Sequence, residues 1–374
     1  MSRVVLITGG AGFIGSHLAD ALLQQGHRVR VLDNLDPQVH GEERRRPDYL
    51  DPDVELIAGD VRDPHAVRSA LEGVDSVFHF AAKVGVGQSM YAVENYTDVN
   101  NRGTTVLLEA LVERASEGIR LVVASSMSIY GEGLYRDAGG NIVAGQERSL
   151  DQLRDRQWEV MDDRGNTLTP LPTPETKMPS LASVYALSKF DQERLCLLIG
   201  RAYNIPTVAL RFFNVYGTRQ ALSNPYTGVL AIFASRLLNG NPPLVNEDGQ
   251  QRRDFVSVRD VAQACLRAME KAPDVSGQAF NVGSGRNYTV LEIGRRLAEV
   301  LGKRIEPEIT GKYRVGDIRH CFADISHTQQ LLGYEPQVAL EDGLIELAQW
   351  LENQIAVDRV QQAAAELGAR GLTV

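Results

Sequence analysis

A glycine-rich turn near the start of the chain limits the possible folds more than any other feature. Gly9, Gly12 and Gly15 follow the apolar run Val4–Thr8 and precede Phe13–Gln25, where apolar residues recur with a helical period. Glycines at this spacing let the backbone approach a pyrophosphate closely, and the helix N-terminus favours its negative charge. The turn therefore predicts a dinucleotide site between a first strand and a first helix.

Further apolar runs alternate with helical segments along the first third of the chain. The predicted strands are Arg28–Leu32, Val54–Ala58, Ser76–Phe80 and Arg120–Ser125, and the predicted helices are 64–71 and about 97–115. Strands rich in Val, Ile and Leu that are separated by helices are typical of a parallel sheet with both faces covered. We therefore expect an α/β fold, a Rossmann-type doubly wound parallel sheet with a smaller C-terminal substrate-binding lobe.

The rest of the chain is predicted to be shared between two lobes. Helices are expected at 184–203, 260–272 and 290–301 and strands at 207–212, 255–258 and 280–282, the last two at the edge of the first sheet. The dinucleotide-binding domain is then expected to comprise residues 1–132, 181–213 and 249–272, and the substrate-binding lobe 214–248 and 273–352. Residues 353–374 are predicted to be a tail with one helix that frays at its end.

Residues 133–180 interrupt the alternation, because this segment is polar and rich in Gly and Pro. Asp137–Gly140 and Asp162–Gly165 predict two turns, which favours short hairpins. The segment is predicted to be an insertion in the dinucleotide-binding domain. Two hypotheses stay open for it: a surface excursion, or a lid or partner contact, since long loops are often functional.

Composition excludes several classes of partner. The formal net charge of the 374 residues is −9, which argues against sequence-independent binding to nucleic acid. Cys196, Cys265 and Cys321 lie far apart without a CxxC motif, and the seven histidines show no metal-ligand spacing. No apolar run approaches the roughly 18 residues of a membrane span. We expect a cytoplasmic protein with no metal, nucleic-acid or membrane partner.

Asp33 indicates which dinucleotide binds. It ends the second strand, where a carboxylate binds both ribose hydroxyls and repels a 2′-phosphate, so NAD is favoured over NADP. Core packing of Ala81 and Ala82, and simple exposure of Lys83, are open alternatives to cofactor contact. The expected NAD contacts from the turn and the strand ends are Gly9, Gly12, Phe13, Ile14, Gly15, Asp33, Asn34, Asp60, Val61, Phe80, Ala81, Ala82 and Lys83.

Tyr185 and Lys189 are four residues apart on a predicted helix, so their side chains share a face. A free tyrosine has a pKa of about 10, too high for a base near neutral pH. A nearby lysine ammonium and the positive nicotinamide ring would lower this pKa and make Tyr185 a general base. Ser126 ends the strand before the insertion, and its hydroxyl would hydrogen-bond the same substrate oxygen. A purely structural tyrosine on an amphipathic helix is the alternative.

Taken together, these motifs resemble the extended short-chain dehydrogenase/reductase superfamily, in its nucleotide-sugar epimerase/dehydratase branch. The resemblance extends over residues 3 to 325 or so. It rests on Gly9–Gly15, Asp33, Gly59–Asp60, His79–Ala82, Ser125–Ser126 with Tyr130–Gly131, Tyr185–Lys189, Arg211–Asn214, Arg253–Phe255 and Asn281–Gly285.

The resemblance implies a tightly held NAD and a nucleoside-diphosphate sugar, linked to dTDP or UDP. It implies that Ser126, Tyr185 and Lys189 form the catalytic triad, the last two also contacting NAD, with Asn100 as a supporting polar residue near the cofactor. It also implies a homodimer built on the helices near 97–115 and 184–203. The substrate contacts implied in this way are Ser126, Ser128, Asn214, Val229, Arg253 and Arg314, with Asn214, Arg253 and Arg314 at the diphosphate.

The residues after Ser126 distinguish between reactions of the family. A 4,6-dehydratase carries an Asp-Glu pair there, and decarboxylases tend to carry a glutamate at the second position, whereas this chain has Met127 and Ser128. We therefore expect a 4-epimerase that acts through a transient 4-keto sugar and retains its NAD. The alternatives are a 4,6-dehydratase, a dehydrogenase or 4-ketoreductase with net redox change, and, more remotely, a non-catalytic NAD-binding scaffold.

Overall fold

The apolar runs predicted as strands form one central sheet in a computed structural model that describes residues 2–373. In chain order the strands are β1 (Val4–Thr8), β2 (Arg28–Asp33), β3 (Glu55–Ala58), β4 (Ser76–His79), β5 (Arg120–Ser126), β6 (Leu134–Arg136), β7 (Ile142–Ala144), β8 (Thr169–Leu171), β9 (Thr207–Phe212), β10 (Asn214–Tyr216), β11 (Leu244–Val245), β12 (Arg252–Arg253), β13 (Phe255–Ser257), β14 (Ala279–Val282), β15 (Tyr288–Thr289), β16 (Glu308–Ile309) and β17 (His320–Cys321). The helices are α1 (Phe13–Gln24), α2 (Pro37–His40), α3 (Pro64–Leu71), α4 (Val86–Ser89), α5 (Val93–Thr97), α6 (Gly103–Val112), α7 (Leu150–Arg154), α8 (Val184–Tyr203), α9 (Val229–Leu238), α10 (Val258–Lys271), α11 (Val290–Val300), α12 (Ser326–Leu332), α13 (Leu340–Leu351) and α14 (Val360–Ala369).

Seven strands pair in parallel in the order β14-β9-β5-β4-β1-β2-β3. The order reverses between β1 and β4, which pair directly. In open α/β sheets a ligand binds in the crevice at the carboxyl ends of the strands flanking such a reversal. The predicted fold class is confirmed, and it directs attention to the ends of β1 and β4.

Helices cover both faces of the sheet because successive strand residues point to opposite sides. Val5 and Ile7 of β1 face a core shared with α1 and α10, whereas Leu6 faces one shared with α3, α6 and α8. Full burial of each such side chain stabilises the fold by about 1.5–3 kcal/mol. The two cores hold the carboxyl ends of the strands, and hence the site, in fixed positions.

The second lobe has its own apolar core between α9, α11 and α13. The sequence prediction for the strand near residue 255 was wrong, because β13 pairs with β10 in a separate two-stranded sheet. The chain leaves the main sheet after Phe213, whose backbone N donates to Val282 O at 3.0 Å. The next strand, β10, pairs with β13 instead. The strand near 280, β14, does form the edge of the main sheet, so this sheet includes residues assigned by sequence to the second lobe.

The insertion at 133–180 folds into a three-stranded antiparallel sheet, β7-β6-β8, with α7. Both predicted turns form, with Gly140 and Gly165 at φ values of 86° and 80°. The insertion packs on the second lobe through the fully buried Arg319, which donates to Glu159 in the insertion and to Glu247 and Asp248 in the lobe. The pair with Glu247 is buried, and the pairs with Glu159 and Asp248 are partly exposed; together they join the insertion to the second lobe.

The C-terminal segment contains the predicted helix, α14, but the expected fraying beyond it was wrong. Val315 N donates to Leu372 O at 3.0 Å, and Thr373 forms an antiparallel bridge with Arg314. The segment is ordered by pairing with a remote loop, a contact that local propensity does not encode. No helix within residues 2–373 is long and apolar enough to cross a membrane.

Candidate active site

A cavity of about 900 Å³ opens at the carboxyl ends of β1, β2, β4 and β5 and extends between the two lobes. This volume is within the usual range for small-molecule sites. Every residue predicted from the sequence as a catalytic, cofactor or substrate contact lines the cavity, with the exception of Asn100. The fold therefore brings together residues from position 9 to position 314 of the chain.

The three glycine positions of the turn exclude a side chain for different reasons. A Cβ on Gly9, whose φ is 71°, would lie 2.8 Å from Ala81 N, and one on Gly15 would lie 2.5 Å from Gly10 Cα. Both glycines are therefore required by the fold itself. Gly12 has φ −76°, and a Cβ there would meet nothing closer than Gly9 O at 3.4 Å. Only an approaching ligand would require a glycine at position 12, which fits the pyrophosphate of a dinucleotide.

Asp33 is oriented by the backbone around it. Its carboxylate accepts hydrogen bonds from Ala11 N at 3.1 Å and Leu35 N at 2.9 Å, and the residue is 8% exposed. Burial raises the pKa of this carboxyl, and the two backbone N–H groups and His40 act in the opposite direction. The carboxylate is thereby held at the end of β2, where the two hydroxyls of an NAD ribose would be bound.

Asp60 is the second carboxylate at the adenosine side of the cavity. Hydrogen bonds from Arg62 hold the pKa of Asp60 at about 2, so this group is charged. Asn34 Nδ2 donates to Asp60 Oδ2 at 3.1 Å, which fixes the orientation of the Asn34 amide. Two of the predicted cofactor residues therefore support each other directly.

Asn100 does not line the cavity, because it is completely buried in a π-helical turn, Asp98–Arg102. Its side chain accepts from Lys83 N at 2.7 Å and donates to Lys83 O at 3.1 Å and Ser188 Oγ at 2.9 Å. Asn100 thus joins the loop after β4 to the helix α8. Lys83 Nζ in turn pairs with Asp36 Oδ2 at 2.5 Å.

The first turn of α8 is held by two serines. Ser183 Oγ caps the helix by accepting from Ala186 N, and Ser89 Oγ accepts from Tyr185 N at 3.0 Å. The Tyr185 ring meets the buried Tyr96 ring edge-on, with 6.4 Å between centroids. These contacts hold the Tyr185 side chain against the cavity at the end of β5.

Ser126 is prepared to donate its hydroxyl hydrogen. Its Oγ accepts from Ser128 N at 3.2 Å and Ser128 Oγ at 2.9 Å, which occupies both of its acceptor positions. Its own hydrogen is left for Tyr185 or a substrate oxygen. The protein surroundings raise the pKa of Tyr185, and the Ser126 hydroxyl acts to lower it. In the protein alone, the net shift of the Tyr185 pKa is therefore upward. The lowering of this pKa that the sequence led us to expect would also require the positive charge of a bound nicotinamide ring.

Lys189 is buried and held by a neutral partner. Its Nζ donates to Gln192 Oε1 at 2.8 Å, and burial lowers the pKa of Lys189 to about 8. Gln192 Nε2 donates to Thr104 Oγ1 at 2.9 Å, and His79 contacts the same hydroxyl at 2.9 Å. Burial lowers the pKa of His79 to about 3, so it is neutral. This network orients the amide oxygen of Gln192 toward the ammonium of Lys189. Because the amide is neutral, it does not cancel the positive charge of Lys189.

Sequence reasoning missed Gln192 and Thr104. The helical spacing i, i+3 from Lys189 was a signal for Gln192, since residues three apart on a helix are neighbours. It also missed Gln220 and Gln251, two residues that line the cavity and whose buried Oε1 atoms have no hydrogen-bond partner among the described residues. Asn214 is a predicted substrate contact, and its buried Oδ1 also has no hydrogen-bond partner among the described residues. Buried polar groups are normally paired, so these atoms indicate a polar ligand.

The two arginines predicted to bind the diphosphate differ in the hydrogen bonds that they already donate within the protein. Arg253 donates to the carbonyl oxygens of Arg252, Ile318 and Arg319, so it holds the 318–319 loop. Arg314 donates to Asp317 at 2.9 Å, and its buried Nε has no partner within residues 2–373. Arg314 is therefore better placed to bind an oxyanion than Arg253.

A glycine turn shaped for a dinucleotide, together with Ser126, Tyr185 and Lys189 at one cavity, is typical of a nicotinamide-dependent enzyme. Comparison with protein families agrees with this class, since the NAD dependent epimerase/dehydratase family matches residues 5–147 and 165–283. The chain belongs to this family.

Individual relatives match over nearly the whole chain. A dTDP-L-rhamnose 4-epimerase of Burkholderia thailandensis is 37% identical over 356 residues, which cover 94% of this chain and 96% of the relative. The structure of UDP-glucose 4-epimerase of Thermotoga maritima with UDP-glucose has a TM-score of 0.75 and 30% identity, covering 93% of this chain and 98% of that one. The Thermus thermophilus UDP-glucose 4-epimerase with NAD has a TM-score of 0.74 and 31% identity, covering 94% and 100%.

Proposed function

We propose that this chain is an NAD-dependent 4-epimerase of nucleoside-diphosphate sugars. The observation that carries this proposal is the acid–base inventory of the cavity. Among the described residues that line it, the carboxylates are Asp33, Asp36, Asp60 and Asp317, and each is paired with a cation or with backbone N–H groups. With these carboxylates committed, Tyr185, which lines the cavity with Ser126, is the group that we assign to proton exchange with the sugar, and a 4-epimerase needs no other.

In the reaction, Tyr185 removes the proton from O4 of the sugar, and Ser126 donates a hydrogen bond to the same oxygen. NAD, when bound at the glycine turn and Asp33, supplies the acceptor and donor for the hydride of C4. Lys189, one helical turn from Tyr185, would add its positive charge to that of a bound nicotinamide ring, and together these charges would favour the phenolate. Tyr185 then returns the proton after the 4-keto sugar has turned over, which completes inversion at C4.

The 4,6-dehydratase alternative lacks residues that it needs. A 4,6-dehydratase requires acid and base groups after Ser126, where this chain has the buried Met127 and Ser128, whose hydroxyl is committed to Ser126. The relatives named above act on dTDP- and UDP-linked hexoses by their names, which supports a nucleoside-diphosphate sugar as substrate. Asn214 and Arg314 are the proposed contacts of the diphosphate, with Arg253 behind them.

A homodimer built on the helices near 97–115 and 184–203 is part of the proposal. Leu187, Leu198 and Tyr203 on α8, and Val93 on α5, are each about half exposed. Apolar side chains on adjacent helices suit a two-fold interface, the commonest form of oligomer. Light scattering on the purified protein measures its mass, and the mass of a monomer at micromolar concentration would contradict this part.

The main test uses purified protein with dTDP- and UDP-hexoses and no added cofactor, followed by mass spectrometry and NMR. A product of unchanged mass with inverted C4 is expected. Loss of one water would instead identify a dehydratase, and turnover only with added NAD(P)H or NAD would identify a net oxidoreductase. Tyr185→Phe is the control, which is expected to retain NAD and lose all turnover.

A further inference from the structure

A buried arginine of the insertion, Arg148, contacts the part of the second lobe that carries Arg314. The side chain of Arg148 is 2% exposed. Its Nη2 donates to Glu247 Oε1 in the second lobe at 2.9 Å, and its Nη1 donates to the carbonyl oxygen of Trp158 at 2.9 Å. The match to the family leaves out residues 148–164, so membership of the family does not account for Arg148.

The guanidinium of Arg148 also lies over the ring of Tyr313, the residue directly before Arg314. The distance from Arg148 Cζ to the ring centroid is 5.3 Å, which is within the range of a cation–π interaction. Tyr313 is buried and does not line the cavity, whereas Arg314 does. Two successive residues therefore divide their contacts, one with the insertion and the next with the cavity.

Glu247 connects Arg148 to both ends of the loop 313–318. Before the loop, Glu247 N donates to Lys312 O at 2.9 Å, and after it, Arg319 Nη1 donates to Glu247 Oε2 at 2.7 Å. The other carboxylate oxygen of Glu247 accepts from Arg148. Glu247 is 1% exposed and has a φ of 54°, a strained conformation that persists only where the surroundings hold it. Arg148 thus holds the residue to which both ends of the loop are joined.

Inside the loop, Asp317 orients Arg314. Arg314 Nη2 donates to Asp317 Oδ1 at 2.9 Å, and Asp317 N donates to Arg314 O at 3.0 Å. Burial acts to raise the pKa of Asp317, the positive charges of Arg314, Arg253 and Arg148 act to lower it, and the net shift is downward. The charge of Arg148 therefore helps to keep Asp317 ionised, and the ionised carboxylate holds the guanidinium of Arg314.

We propose that Arg148 is a positioning residue for the diphosphate of the substrate, and that the insertion is thereby a part of the substrate site. The proposal rests on the proposed function, in which Arg314 contacts the diphosphate. Arg148 acts through Glu247 and Tyr313 and does not touch the substrate. This role is distinct from both the surface excursion and the lid or partner contact that the sequence left open.

The test measures binding of UDP and of dTDP to the NAD-loaded protein by calorimetry. Arg148→Met keeps an extended side chain but leaves Glu247 Oε1 without its buried cation and Tyr313 without its cover. We expect it to weaken binding roughly fivefold and to raise the KM of the sugar nucleotide by the same factor, with kcat and bound NAD unchanged. Arg148→Lys keeps the charge without the planar fork and should lose about threefold. Arg154→Met, at an exposed side chain of the insertion, is the matched control with unchanged binding.

A double-mutant cycle separates positioning from general destabilisation. Arg314→Met alone is expected to weaken binding about tenfold. Adding Arg148→Met to it should cost less than about twofold more, because Arg148 acts through Arg314. Where Arg148→Met does not yield folded protein, Arg148→Lys replaces it in the cycle, and its threefold or so loss should disappear beside Arg314→Met.

Equal losses on changing Arg148 with and without Arg314→Met would overturn the proposal. So would nucleotide binding by the Arg148 variant as tight as that by Arg154→Met, or failure of the unmodified protein to bind either nucleotide. The proposed function fails separately, if the unmodified protein shows this coupling in nucleotide binding but does not invert C4 of any sugar.

Discussion

The burial of Lys189 allows a quantitative prediction that links activity to stability. Burial lowers the pKa of Lys189 from 10.5 to about 8. At about 1.4 kcal/mol per pH unit, holding this ammonium in the folded protein at pH 7 costs roughly 3 kcal/mol of folding free energy. Lys189→Met removes that cost but leaves Gln192 Oε1 without its donor, a penalty of about 1–3 kcal/mol. The variant is therefore expected to lose turnover while keeping or slightly gaining stability at pH 7.

The pH dependence separates the burial of the charge from the lost hydrogen bond. Because the folded-state pKa lies below the unfolded-state pKa, the unfolded chain binds more protons between about pH 8 and 10.5, and stability rises with pH in that window. Relative to Lys189→Met, the unmodified protein should therefore gain about 2 kcal/mol between pH 7 and pH 9.5. The penalty at Gln192 is the same at both pH values and drops out of this difference.

Urea unfolding at the two pH values measures the effect. Bound NAD is quantified in both proteins and matched, because a ligand of the folded state raises apparent stability. Lys303→Met removes an exposed lysine and is the control for the loss of one cation. The reasoning would be refuted if the difference in unfolding free energy between the unmodified protein and Lys189→Met were the same at both pH values to within about 0.5 kcal/mol. Lys189 would then not be buried in charged form.

Three further predictions concern other parts of the site. Gly12→Ala should fold normally, since a Cβ there meets only Gly9 O at 3.4 Å, but it should lose bound NAD, as measured by absorbance of the released nucleotide. Gly139→Ala in the insertion is the control, and NAD retained by Gly12→Ala would contradict the ligand-based explanation. Ser128→Ala removes one donor to Ser126, and at about 1 kcal/mol for the hydrogen bond kcat should fall roughly fivefold. The acidic limb of its pH profile should move to higher pH, because a weaker hydrogen bond from Ser126 lowers the pKa of Tyr185 less; an unchanged pH profile would mean that Ser126 does not depend on Ser128. Glu193→Gln breaks the buried pair with Arg211, whose closest contact is 2.6 Å, and should cost about 3–5 kcal/mol of unfolding free energy; a loss below about 1 kcal/mol in urea unfolding would show that the uncompensated guanidinium is hydrated.

Much of the site was predictable because its signals are local. The turn Gly9–Gly15, the acid that ends β2 and the pair Tyr185 and Lys189 lie on segments whose conformation follows from neighbouring residues. The fold class followed from the alternation of strands and helices for the same reason. The role of Asn100 was less visible, since its contacts with Lys83 and Ser188 join segments 17 and 88 residues away.

By itself, the sequence determined the parallel sheet, the dinucleotide turn and the shared face of Tyr185 and Lys189, because turn chemistry and helical periodicity act over a few residues. Only the tertiary structure decided that β13 leaves the main sheet, that Gln192 holds the ammonium of Lys189 and that α14 covers the cavity. Each of these depends on which remote segments meet, or on which way an amide is turned by a buried network. Such contacts are selected by the packing of the whole chain, and the physical preferences of adjacent residues do not specify them.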